Sequence, residues 1–179
     1  MLFHSTRGGD KDRTFEDILM QGLASDGGLF MPDTWPQVNL NLLRSKSSFI
    51  EVAKEIVPLF TSSSFDKEEV INILDNTWHD FSDDDIAPLK HLDDNKAVLE
   101  LFHGPTAAFK DFGLQLAAAF FNEVLSKNNK TAIILGATSG DTGSAAIDAC
   151  KNFKSIKTFI LIPDGNMSEI QRRQMTTID

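Results

Sequence analysis

Lys110 has the setting that most invites chemistry. It stands in Glu100-Leu-Phe-His-Gly-Pro-Thr-Ala-Ala-Phe-Lys-Asp-Phe-Gly113, after a rigid Gly-Pro turn and at the mouth of a long apolar helix. A protonated lysine is no nucleophile. Partial burial, or the positive end of its own helix, disfavours the ammonium form. The neutral amine can form a Schiff base with an aldehyde. Phe109 and Phe112 flank it and supply an apolar wall. Position alone leaves a second reading open, an exposed lysine whose stem lies along the helix.

A second small-residue turn, Ser139-Gly-Asp-Thr-Gly143, opens another helix. Gly140 and Gly143 let the backbone approach a ligand closely. Its backbone N–H groups, with the hydroxyls of Ser139 and Thr142, make an anion cradle suited to a carboxylate or a phosphate. The alternative is an ordinary N-cap, with Asp141 or Ser139 closing the helix. No Gly-Lys-Ser/Thr follows, so this is not a P-loop. His103, just before Gly104-Pro105, could bond a phosphate or orient a substrate; a histidine satisfied by a loop carbonyl fits equally well. His4, His79 and His91 have no metal-ligand spacing with each other or with Cys150, and no metal site is read.

The scaffold must place both turns together. Residues 1–95 read as helical patches joined by irregular turns, and 96–179 as an alternating α/β unit. Thr14 opens a helix carrying Phe15, Ile18 and Leu19. Asp26-Gly-Gly-Leu-Phe-Met-Pro32 reads as a turn into an extended piece. Ser48 and Glu51 have capping-box spacing, and Pro58 is expected to end or kink the helix they start. Asp66 to Glu69 starts another, with Val70, Ile71, Leu74 and Trp78 buried. Ala97–Phe102, Thr131–Leu135 and Ile156–Ile162 read as strands, separated by the helices after Lys110 and Gly143. Ser168-Glu-Ile-Gln171 starts a last helix. The order implies a parallel sheet with right-handed crossovers, whose ligands bind beyond the strands' carboxyl ends. A fourth strand is expected where the chain stops, so the sheet reads as incomplete at the C-terminus.

Composition bounds the rest. The hydrophobic share of 41% fits a globular chain, and no apolar run nears the roughly 18–20 residues that span a membrane. A net charge of −9 argues against nucleic acid. One cysteine, Cys150, can form no internal disulfide and reads as a small core residue in a cytoplasmic protein. The acidic run Asp80 to Asp85 lacks the glycine and closing glutamate of a calcium loop and reads as solvated. Nothing in the pattern fixes an oligomeric state.

The two motifs together, Glu100 to Gly113 and Ala137-Thr-Ser-Gly-Asp-Thr-Gly-Ser-Ala-Ala146, closely resemble threonine synthase. Ser5-Thr-Arg-Gly8 and Asp26 to Pro32 look like that family's N-terminal region. The resemblance implies the three-layer αβα parallel sheet of fold type II among enzymes using pyridoxal 5′-phosphate. It implies conversion of O-phospho-L-homoserine and water to L-threonine and phosphate, with this chain an N-terminal fragment. Lys110, Phe109 and Asp141 would then contact the cofactor. Thr138, Ser139, Gly140, Asp141, Thr142 and His103 would contact the phosphorylated amino-acid substrate. The wider fold type commonly has Ser-Gly-Asn where this chain has Asp141; an ionised aspartate only accepts hydrogen bonds. The family's glycine-rich phosphate loop is expected beyond residue 179, which implies that the fragment alone is inactive. A related phospholyase, or a non-catalytic interaction module, are the other readings.

Overall fold

The computed structural model describes residues 1–178, in two compact units that divide between Asn76 and Thr77. In the first unit, β1 (Phe3–Ser5) pairs antiparallel with β2 (Phe30–Pro32), Ser5 opposite Phe30. The Asp26 turn makes this pairing possible. Its carboxylate accepts from Ser5 Oγ at 2.7 Å, Gly9 N at 2.7 Å and Gly28 N at 2.9 Å. A Cβ on Gly28 would overlap Ser5 Oγ, so the close approach needs glycine there.

Side-chain caps set the first unit's helices. Thr14 and Asp17 form a reciprocal capping box at α1 (Phe15–Gln21). Asn39 caps the short α2 (Leu40–Arg44). Ser48 accepts from Glu51 N at the start of α3 (Phe49–Thr61). The Glu51 carboxylate reaches back to Ser47 N rather than to Ser48. Pro58 does not end α3, which runs on to Thr61. Asp66 and Glu69 exchange backbone and side-chain bonds at α4 (Lys67–Thr77). Val70, Ile73 and Leu74 are its buried apolar residues, while Ile71, expected among them, is half-buried.

The second unit departs from the expected sheet at its start. Lys96–Leu99 (β4) pairs antiparallel with Leu89–Asp93 (β3), as a hairpin separate from the parallel strands. The turn is locked by Asn95 N donating to Asp93 Oδ1 at 2.9 Å. Ala97–Phe102 is therefore not the first strand of a parallel sheet, and its ladder stops at Leu99. Among the described residues the parallel sheet has two strands, β5 (Ala132–Ala137) and β6 (Ile156–Leu161), in register from Ala132↔Ile156 to Ala137↔Leu161. They are joined through α6 (Asp141–Cys150) and flanked in sequence by α5 (Lys110–Lys127) and α7 (Glu169–Thr176). The alternating α/β order holds from α5 onward. Residues 77–95 pack with this unit, ahead of the division near residue 95 read from the pattern. Trp78 Nε1 donates to Phe112 O at 3.1 Å, and Phe81 meets the Phe112 ring edge-on at 4.9 Å.

One sheet face is covered. Ala118 and Leu125 of α5, Ala149 and Cys150 of α6 and Ile156 form a core, with Ala132 and Ile134 packed against it. Burial pushes the Cys150 thiol up, as befits a core residue. The other face carries Ile133, Leu135, Phe159 and Leu161, each more than half exposed. No helix among the described residues is long and apolar enough to cross a membrane.

Candidate active site

Lys110 is the first residue of α5, and Asp141 the first of α6. Both helices begin at the same end of the unit, so their first side chains meet. Lys110 Nζ donates to Asp141 Oδ2 at 2.8 Å. The same nitrogen lies 4.5 Å from the centre of the Phe109 ring. Of the two rings expected as an apolar wall, Phe109 stands on one side while Phe112 packs against Phe81; a carboxylate stands on the other. Lys110 is 26% exposed and Asp141 48%. An ion pair this open contributes only about 0.2–1 kcal/mol, so its value is orientation rather than stability. The ammonium beside it holds the Asp141 carboxyl below the usual carboxylate range, helped by the backbone N–H groups of Asp141 and Thr142.

The pair borders an open cavity of about 340 Å³ lined by Phe109, Lys110, Gly113, Leu114 and Thr142. At the start of α6 the N-cap is Gly140, in extended backbone and without a side-chain cap. Neither Ser139 nor Asp141 closes the helix in the ordinary N-cap manner. The first N–H groups of such an end, with the helix's positive pole, suit an anion. Gly140 N donates to Thr138 Oγ1 at 3.3 Å, which folds the turn back on itself.

The loop before Lys110 is held from below by a residue that sequence reasoning passed over. Asp111 is fully buried; its carboxylate accepts from Thr106 N at 2.9 Å and Thr106 Oγ1 at 2.6 Å. Charge-assisted bonds of this kind contribute about 1.5–3 kcal/mol. The carboxylate fills the space that a Cβ on Gly104 would need. The Gly-Pro turn is thus shaped by a side chain next to the lysine it presents. Adjacent to Lys110 in sequence, Asp111 carried no separate signal of burial.

His103 is placed elsewhere. Its Nε2 meets Glu100 Oε2 at 2.8 Å, and its Nδ1 lies 3.4 Å from Ser82 Oγ. Ser82 N donates to the His103 carbonyl at 2.8 Å. Among the described residues His103 is not part of the cavity lining.

The α/β unit thus brings an amine, a carboxylate and an uncapped helix N-terminus together at one end. Comparison with known proteins narrows the class. Residues 2–78 match the family model described as the threonine synthase N terminus. The chain is 46% identical to the threonine synthase of Pseudomonas aeruginosa, over 99% of this chain and 38% of that protein. It is 39% identical to threonine synthase-like 2 of Xenopus laevis, over 99% of this chain and 38% of that one. The pyridoxal-phosphate-bound threonine synthase from Brucella melitensis superposes with a TM-score of 0.92 at 41% identity, over 97% of this chain and 38% of that structure. By these matches the chain corresponds to the N-terminal portion of threonine synthases. It spans 38% of the length of these relatives.

Proposed function

We propose that this chain carries the lysine-bearing portion of a threonine synthase, a carbon–oxygen lyase that turns O-phospho-L-homoserine and water into L-threonine and phosphate. The observation that carries the reading is the Lys110–Asp141 contact at 2.8 Å beside an uncapped helix N-terminus, in a chain 46% identical to a threonine synthase. In this reading residues 1–95 carry its N-terminal region and 96–179 the first part of its catalytic α/β domain, with residues 77–95 folding with the latter.

The residues present suit pyridoxal 5′-phosphate. Lys110 offers an amine at the mouth of a cavity, Phe109 an aromatic wall and Asp141 a hydrogen-bond acceptor. Lys110 would hold the cofactor covalently, with Phe109 and Asp141 against it. When bound, the cofactor supplies the electron sink that makes a Cα–H bond acidic. The chain's own residues do the rest. The backbone of Ser139 to Thr142, with Thr138, binds the substrate carboxylate at the positive end of α6. In its neutral form the Lys110 amine is the base placed to take the Cα proton, and as ammonium it is the acid placed to return one. Asp141 aims that amine. His103, oriented by Glu100, stands outside the cavity lining and is assigned no step. Over the whole reaction the Cγ–O bond to phosphate breaks, the phosphate leaves with the proton lost from Cβ, and water adds its hydroxyl at Cβ and its proton at Cγ, which becomes the methyl group.

Incubating the protein with pyridoxal 5′-phosphate and borohydride, followed by peptide mass analysis, tests this directly. One reduced adduct is expected, on Lys110, and absent in Lys110→Ala. Adducts scattered over surface lysines would overturn the reading. The 179 residues alone are expected to turn over little or no phosphohomoserine, measured as phosphate release. A second reading is a threonine-synthase-like phospholyase, which releases phosphate without making threonine. Product analysis on the longer protein separates the two.

A further inference from the structure

Two neighbouring residues of α7 touch the supports of both catalytic turns. Gln174 Nε2 donates to Thr106 O at 3.0 Å, across 68 positions of sequence. Thr106 is the residue that Asp111 holds by its N–H and hydroxyl, and Asp111 is bonded in sequence to Lys110. The next residue, Met175, is buried. Its sulfur sits so close to Gly143 that a Cβ there would overlap it. Gly143 lies in the first turn of α6, which begins at Asp141. One turn earlier, Gln171 Nε2 is 3.2 Å from where a Cβ on Gly140 would lie. The helix therefore rests on the Ser139–Gly143 turn and, through one carboxamide, reaches the Gly104–Lys110 turn.

We propose that α7 is the brace that sets the separation of these two turns, and that Gln174 is a positioning residue for the Lys110–Asp141 pair. The geometry leaves few alternatives for this side chain. A glutamine whose carboxamide donates to a loop carbonyl beside a buried threonine fixes that carbonyl's place relative to its own helix. With Met175 seated on Gly143, any shift of α7 moves one turn against the other. The proposal rests on the enzyme reading for its meaning, but the contact it concerns exists in the chain itself.

The test follows Asp141 without cofactor. Its carboxyl is faced by the Lys110 ammonium and by the N–H groups of Asp141 and Thr142, so its titration reports where Lys110 stands. Carboxyl 13C NMR, assigned with Asp141→Asn, is recorded against pH for the wild-type chain, Gln174→Ala and Gln174→Met. Methionine keeps the length and packing of glutamine but has no donor. Lys110→Ala marks the full loss of the pair, and Ile170→Ala, at an exposed position of α7, serves as a control. In both Gln174 variants the Asp141 midpoint is expected to move up toward about 3.9, the value of an unperturbed aspartate, with the helical circular-dichroism signal kept. An unmoved midpoint, with or without a lower melting temperature, would make Gln174 merely structural and overturn the proposal. Unfolding of both variants would overturn it equally. Borohydride trapping of wild-type Lys110 judges the enzyme reading separately, since the titration contains no pyridoxal phosphate.

Discussion

At the scale of single residues, the site depends on what stands beside Lys110 rather than on Lys110 alone. Asp111 has no water to fall back on, being fully buried. Asp111→Ala would leave the buried Thr106 N–H unpaired, at a cost of about 1–3 kcal/mol. Urea denaturation is expected to show that loss, together with slower trapping of Lys110. Gly104→Ala and Gly143→Ala are each expected to cost about 1–3 kcal/mol by overpacking, since the space for a Cβ is taken by Asp111 and by Met175. A variant of Gly113, where a Cβ meets nothing within 4 Å, is the matched control. Lys110 and the Ser139–Gly143 turn were legible in sequence because their chemistry is local: a lysine after Gly-Pro, two glycines around an acid. The Lys110–Asp141 contact was not, because 31 positions separate the partners and only the fold brings the two helix starts together. Gln174 was invisible for the same reason.

At the scale of elements, capping predicted more reliably than proline did. Ser48, Asp66 and Ser168 each begin a helix as their spacing implied, because a cap satisfies backbone donors that the next residues cannot. Pro58 was expected to end or kink α3, and the helix passes through it. A proline removes one donor and crowds one carbonyl; the remaining bonds and the packing of a helix face outweigh that. The hairpin of β3 and β4 was missed although a signal existed, since Leu89 to Leu99 carries an Asp-Asp-Asn turn between two short alternating runs. The parallel strands make a sharp prediction because they are covered on one face only. Leu125→Ala is expected to cost about 2–5 kcal/mol, being 2% exposed in the core. Leu135→Ala, at 68% exposed, should change stability by only about ±0.5 kcal/mol. Comparable losses at both positions in thermal melts would mean the exposed face is covered in solution.

At the scale of the whole molecule, the acidic excess matters through particular carboxylates rather than through its sum. Asp10 is held down to about 2, first by the Ser25 N–H and next by Arg13. Asp26 is lowered as well, chiefly by the Ser5 hydroxyl. A carboxyl depressed in the folded state contributes stability above its unfolded value and loses it as pH falls through the folded one. Unfolded aspartate titrates near about 3.9, so Asp10's contribution should disappear between about 3.9 and about 2. Melting temperature followed down that range should fall in wild type and fall less steeply in Asp10→Asn. An unchanged slope would show that other groups govern the acid limb.

The sulfur of Met175 gives the molecule a built-in clock. Thioethers oxidise where peroxide can reach them, and Met175 is 8% exposed against 42% for Met20. Dilute peroxide should therefore convert Met20 promptly and Met175 only as often as the last helix lifts from Gly143. Once formed, a sulfoxide oxygen aimed at Gly143 would have no room there, since the sulfur already takes the space of a methyl group. Oxidation there would be a ratchet, trapping each lifted molecule so that mass spectrometry can count it.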